Sequence, residues 1–221
     1  IVAGMAKACR EANCAILGGE TAEMPGVYRE SEFDVAGTII GVVERADIID
    51  GRDIHPGDQL IGLPSSGPHT NGFSLIRRIF ADTELEHVYP ELGIPLADAL
   101  LAPHRSYLAD VRRIQEVAHI KGLVHITGGG FYDNIPRILP EDVAVVVHKG
   151  SWPVPPLFRL IQRLGHVSEE EMYRVFNMGI GMIVVVDKGS LGHALALAGP
   201  GAAHIGMVVA QTETPVVFAQ D

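Results

Sequence analysis

Basic residues are scarce: 17 Lys and Arg stand against 27 Asp and Glu, a formal net charge of −10. Duplex nucleic acid and anionic membrane surfaces call for a concentrated basic patch, so neither is the expected partner. Long apolar runs are missing too, and no stretch approaches the ~20 residues that span a bilayer. No charged n-region followed by an apolar h-region opens the sequence. Cysteine is nearly absent. Cys9 and Cys14 lie in or beside a helical pattern, without partners at metal-site spacing, so reduced core thiols in a cytoplasmic protein are expected. There is no internal repeat, no low-complexity segment and no Walker A lysine.

What is present suffices for real cores: 221 residues, 47% of them hydrophobic. One stretch organises the chain, His125-Ile126-Thr127-Gly128-Gly129-Gly130-Phe131-Tyr132-Asp133-Asn134-Ile135-Pro136. An apolar run, 122–126, predicts a buried strand, and 131–139 predicts a helix with Pro136 near its first turn. Between them, three glycines can turn sharply and present bare N–H groups to an anion, at a helix N-terminus that adds partial positive charge. His125 and Thr127 stand at the rim of this cradle. Taken alone, the triplet fits tight packing equally well.

In chain order, 1–14 predicts an amphipathic helix with Val2, Met5, Ala6 and Cys9 on one face, a start that suggests a preceding part. Strands are expected at 15–17 and 35–43, separated by a loop that holds Gly18, Gly19, Glu20, Thr21 and Glu23. Those carboxylates and that hydroxyl can hold Mg²⁺, although solvated loop acids account for the spacing as well. Turn chemistry around 46–58 marks a domain boundary, giving domains 1–45 and 46–221. A second unit follows: strand 59–63, a loop of Ser65, Ser66, Gly67, Pro68, His69, Thr70, Asn71 and Gly72, and helix 73–80. Its hydroxyls and glycines suit a phosphate, and a histidine beside each of two such loops suggests proton chemistry. His125, ending a buried strand, is the better candidate for proton transfer, and His69, in a loop, for binding. Helical pattern continues over 95–117 with a break near Pro103, then strand 143–148, helix 154–164, a capping box from Ser168 and Glu171 into helix 169–176, strand 183–186, helix 191–197 and strands 205–209 and 216–218. Strands and helices without a βαβ cadence predict an α+β fold.

Four motifs in register now carry a resemblance: Gly18-Gly19-Glu20-Thr21-Ala22-Glu23-Met24-Pro25-Gly26, Ser65 to Gly72, His125 to Phe131, and Phe176-Asn177-Met178-Gly179-Ile180-Gly181-Met182. In this order they resemble the phosphoribosylformylglycinamidine cyclo-ligase (AIR synthetase, PurM) family, over essentially the whole chain. Thr70 stands where the family usually has serine.

The resemblance implies the tail end of a PurM-type N-terminal domain followed by a PurM-type C-terminal α/β layered domain. It also implies a homodimer in the full-length enzyme and ATP-dependent closure of formylglycinamidine ribonucleotide to aminoimidazole ribonucleotide, with ADP and phosphate released in purine biosynthesis. By the same resemblance, His125 and His69 are catalytic. Ser65, Ser66, Gly67, Thr70, Asn71, Gly72, Thr127, Gly128, Gly129, Gly130 and Asn177 bind the nucleotide substrate or its phosphate. Gly18, Gly19, Glu20 and Thr21 contact ATP, and Glu20 a Mg²⁺. Family members carry a further N-terminal stretch with groups for ATP and magnesium, so residues 1–221 alone are expected to be inactive. Sister ATP enzymes of the superfamily, and a non-catalytic nucleotide-binding module, remain alternatives.

Overall fold

The computed structural model describes residues 1–220, in two units, Ile1–Ile48 and the chain from Ile49 onward. The first unit contains helix α1 (Val2–Glu11), with an exposed Lys7–Glu11 pair at i,i+4, an isolated bridge between Pro25 and Tyr28 and a 3₁₀ turn (Arg45–Asp47). The strands expected at 15–17 and 35–43 are not formed. Leu17, Ile39, Ile40 and Val42 are all at least 80% exposed. A strand needs a neighbour for its N–H and C=O groups and a layer for its apolar face. Among the described residues of this unit neither is available to 35–43, so β propensity alone does not make a strand.

The second unit is built on a six-stranded sheet. Its elements are β1 (Gln59–Pro64), α2 (Phe73–Ile79), α3 (Leu96–Leu100), α4 (Leu108–Gln115), β2 (Ile120–His125), α5 (Gly130–Asn134), β3 (Val143–Lys149), α6 (Pro156–Gly165), α7 (Glu169–Val175), β4 (Ile180–Val186), α8 (Leu191–Leu197), β5 (Ala203–Ala210) and β6 (Val216–Gln220). The strand order is β2-β4-β1-β5-β3-β6, antiparallel throughout except for the parallel β3–β6 pair. Mixed, mainly antiparallel pairing with helices against the sheet is the expected α+β class.

Period-2 alternation divides the sheet's side chains between two cores. Leu60, Val124, Ile183 and Val185 join the larger one, where Ile76, Phe131, Phe158 and Phe176 pack. Ile61, Leu63, Ile120, Val184 and Val186 join a smaller one with Ile114, Ala194 and Ala198. Covered on both faces, β1 and β4 read as continuous apolar runs. The expected helix over 131–139 is instead α5 followed by a 3₁₀ turn (Ile135–Ile138). Pro136 has no N–H to bond four residues back, so the chain tightens there. The helical pattern over 95–117 becomes α3 and α4, and the irregular segment between them carries His104.

The Ser168 cap forms as expected, with its hydroxyl accepting from the Glu171 N–H at 3.3 Å and three glutamates in the first turn of α7. Ser168→Ala should therefore cost about 0.5–2 kcal/mol. The check is a lowered urea midpoint with an unchanged m-value; an unmoved midpoint would show the cap to be idle.

Candidate active site

β1 and β2 flank β4 on its two sides, each antiparallel to it. They therefore run parallel to each other, and their C-terminal ends meet the start of β4 at one edge of the sheet. Pro64 leads from that edge into 65–72, His125 into the glycine loop, and 177–179 enter from α7. A fourth segment is tied in by side chains. Arg105 Nη1 and Tyr107 Oη donate to the Pro64 carbonyl at 3.2 and 3.0 Å, and Ser66 Oγ donates to the Pro103 carbonyl at 2.6 Å. Asp110 secures the segment from below by pairing with Arg105 at 2.7 Å and with Arg113.

His69 occupies the centre. It is 2% exposed, has a left-handed backbone (φ 52°), and is followed by Thr70 at φ 62°, a conformation that a β-branched residue rarely adopts. Thr70 Oγ1 and Asn71 Nδ2 both donate to the His69 carbonyl, at 2.6 and 2.8 Å, which offsets part of that strain. Gly181 makes the inward turn possible: a Cβ there would lie 2.7 Å from His69 Cε1 and closer still to Tyr107 Oη. His69 Nε2 accepts from the Ser66 N–H at 3.0 Å, which assigns the neutral ring's proton to Nδ1. Buried Nδ1 has no hydrogen-bond partner among the described residues.

The three imidazoles form a row. His69 stacks on His104 with centroids 3.8 Å apart and planes 17° from parallel, and His104 Nε2 lies 3.3 Å from His125 Nε2. Burial pushes the His69 pKa down to about 4, helped by His104, His125 and Arg105. Burial also lowers His104, with His125 adding to it, and lowers His125. Tyr107 is raised, chiefly by burial. All three rings are thus biased toward the neutral form.

The expected division between the histidines is reversed in burial. His69, read as a loop residue, is enclosed, whereas His125, read as fixed in a buried strand end, is exposed. β2 is an edge strand and its last side chain faces out. Missed altogether was His104, whose only sequence signal is its position after Pro103 in a helix break.

In the glycine loop, packing and backbone geometry explain two of the three glycines. Gly130 (φ 56°) is buried with its Cβ position inside the Tyr173 carbonyl, and a Cβ on Gly129 (φ 92°) would lie 2.5 Å from Asp133 Oδ2. Gly128 is exposed beside Asn71 Oδ1, which brings the two expected loops into contact. Thr127 Oγ1 donates to Asn134 Oδ1 at 3.1 Å, and Asn134 Nδ2 donates to the Gly130 carbonyl at 2.7 Å. Asn177 is committed within the protein: Nδ2 donates to the Gly67 carbonyl, and Oδ1 accepts from Ser65 Oγ and the Gly179 N–H, all at 2.8–2.9 Å. Gly72 caps α2 against the Phe176 ring. Next to His125 lies a cavity of about 280 Å³, lined also by Thr127, Asn134 and Arg137, a cation not singled out from sequence. A larger cavity, about 600 Å³, lies along α2 and α7 and holds none of these histidines.

Gly18, Gly19, Glu20 and Thr21 lie in the first unit, exposed and without regular structure. Among the described residues the one group of three or more potential metal ligands is His69, His104 and His125, so Glu20 belongs to no such group.

Comparison with known proteins decides the family. Residues 55–218 match the AIR synthase related protein C-terminal domain, and residues 1–43 the corresponding N-terminal domain. The chain belongs to the AIR synthase related family. It is 50% identical over 198 residues to the phosphoribosylformylglycinamidine cyclo-ligase of Thermoanaerobacter sp. (strain X514), covering 88% of this chain and 59% of that protein. The enzyme of the same name from Desulfitobacterium hafniense (strain DSM 10664 / DCB-2) is 54% identical over 186 residues, 84% of this chain and 55% of the relative. The chain thus spans under three fifths of the length of these curated relatives. Among solved structures, hydrogenase maturation protein HypE has a TM-score of 0.56 at 21% identity, over 77% of this chain and 51% of that one. Thiamine-monophosphate kinase from Stenotrophomonas maltophilia K279a has a TM-score of 0.52 at 16% identity, over 80% and 54%. At those identities the likeness is one of fold alone; the two family matches are what give a C-terminal domain preceded by sequence of the N-terminal one.

The lowered His69 pKa has a thermodynamic consequence. In metal-free buffer the unfolded chain protonates this ring near pH 6.5 and the folded chain only near 4. Between those values the unfolded state binds more protons, so the contribution is complete above pH 6.5 and is lost as pH falls toward 4. His69→Phe should therefore lose stability less steeply than the wild type from pH 6.5 to 4 in urea titrations. Equal slopes would contradict the buried, neutral imidazole.

Proposed function

We propose that this chain is part of an enzyme that closes formylglycinamidine ribonucleotide to aminoimidazole ribonucleotide. In this reading ATP phosphorylates the formyl oxygen, releasing ADP. The amidine nitrogen then attacks that carbon, and phosphate leaves with the former formyl oxygen as the five-membered ring closes. The observation that carries the reading is the 50% identity over 198 residues to a relative named as that cyclo-ligase.

The chain's own groups suit the task. Arg137 and Thr127 line the cavity beside His125 and can take a phosphate-bearing ligand. His125, exposed and biased toward its neutral form, can accept the proton that the attacking nitrogen loses. His69 and Asn177 hold the surrounding loops in register, so that reacting atoms of one bound substrate meet at attack distance. ATP use is supported further by HypE, which has been solved in complex with ATP.

Magnesium prefers oxygen ligands, so the three imidazoles do not suit it, whereas Glu20 and Thr21 offer oxygen donors. In this proposal those two residues, with Gly18 and Gly19, lie on the nucleotide side. There the ion would neutralise charge on the transferring phosphoryl group. Residues 1–45 are assigned to the N-terminal, dimerising domain and 46–221 to the C-terminal domain of a cytoplasmic homodimer. The relatives are longer than this chain, and this proposal assigns further groups for ATP and magnesium to the N-terminal stretch that the resemblance implies. Residues 1–221 alone are accordingly assigned no ring closure.

The test is steady-state kinetics with formylglycinamidine ribonucleotide and ATP. A full-length enzyme should turn over, and residues 1–221 alone should not. His125→Ala should lower kcat by roughly 10²-fold or more, the loss typical of a general acid or base. His69→Ala should act mainly through KM and stability. Wild-type kcat in His125→Ala would remove that residue from proton transfer, and no turnover by the full-length enzyme would overturn the proposed reaction.

A further inference from the structure

The row of imidazoles has a property that purine chemistry does not call for. One ligand-type nitrogen from each of His69, His104 and His125 lies within 4.8 Å of the others. Two ligands of a tetrahedral ion, bound at ~2.0–2.1 Å, sit about 3.3–3.4 Å apart. The Nε2 atoms of His104 and His125 are 3.3 Å apart, which is already that spacing. To complete a set of three on the same geometry, His69 must close in by roughly 1.5 Å and its ring must turn out of its stack on His104, because each lone pair lies in its ring plane.

A second, independent observation is at His69. Its ring is 2% exposed, and buried Nδ1 lacks any hydrogen-bond partner among the described residues. An unmatched buried polar atom is costly, and metal coordination would satisfy it. With Nδ1 as a ligand the ring proton sits on Nε2, where it donates to Ser66 Oγ, 2.9 Å away, and the Ser66 N–H gives up its bond to Nε2. His104 and His125 are both exposed, so an ion has an open path in.

We propose that His69, His104 and His125 form a binding site for one borderline divalent cation of the Zn²⁺ class. Neutral imidazoles suit Zn²⁺, Cu²⁺ and Ni²⁺, whereas Mg²⁺ and Ca²⁺ require oxygen donors. Three protein ligands leave a fourth position for water or a phosphate oxygen, as in open zinc sites. The cation joins the end of β2, the loop after β1 and the segment between α3 and α4. Occupation takes up the His125 lone pair that ring closure uses, a consequence that rests on the proposed function, whereas the binding itself does not.

The test is calorimetric titration of the full chain with Zn²⁺ alone, together with the visible d–d absorption of Co²⁺ added in its place. Expected are one saturable site per chain and a four-coordinate Co²⁺ spectrum. His104→Phe, which keeps a ring against His69, and His125→Ala should each weaken Kd by at least about a hundredfold, more than the 10–100-fold that an outer-shell partner commonly costs. His193→Ala, on the exposed surface of α8, should leave Kd unchanged. Absence of a saturable site, a six-coordinate Co²⁺ spectrum, or equal loss in all three variants would overturn the site and leave the 3.3 Å contact as an imidazole–imidazole hydrogen bond.

Discussion

The pairing of β4 with β1 on one side and β2 on the other is the constraint on which the site depends. Antiparallel registers on both sides, Leu60 with Val185 and Val124 with Ile183, fix the directions of all three strands. Loops that are 60 residues apart in sequence must then emerge at one edge. A register slip of one residue in β1 would exchange Leu60 with Ile61 between the two cores, so hydrophobic burial on both faces holds the loops in place. The site's precision is thus inherited from strands that, apart from His125 at the end of β2, carry no chemistry themselves.

Around that frame the polar groups are nearly all committed. Asn177 ties the loop after β1 to the turn before β4, and Asp110 with Arg105 and Arg113 ties the α3–α4 connection beneath it. Asn177 and Asp110 are the buried members, and losing a partner of either leaves a buried polar group unsatisfied, which costs more than the bond contributed. Among the buried side-chain polar atoms of the described residues, His69 Nδ1 is the one without a hydrogen-bond partner.

Much of this was legible in the sequence, because it rests on local rules. Ser168 with Glu171 announced the start of α7, the apolar runs announced the central strands, and Pro103 announced the break between α3 and α4. What was not legible depends on distant partners. His69 looks like a loop residue until Gly181, 112 residues on, is seen to make room for its ring. His104 has no local signature beyond its place after Pro103 and acquires meaning only when Tyr107 and Arg105 dock on the Pro64 carbonyl. The segment 35–43 misled in the opposite direction: its apolar run suggested a strand, but pairing requires a neighbour, and Ile39, Ile40 and Val42 are exposed.

The central claim is that the loops at this sheet edge, marked by the three imidazoles, receive the nucleotide substrate. It is tested most directly by NMR of the imidazole Cε1–H resonances of the full-length protein during titration with formylglycinamidine ribonucleotide. The account predicts that His69, His104 and His125 shift together and saturate with one dissociation constant, while exposed His119 and His193 stay still. Saturable binding that leaves those three resonances unmoved would place the substrate elsewhere and contradict the account.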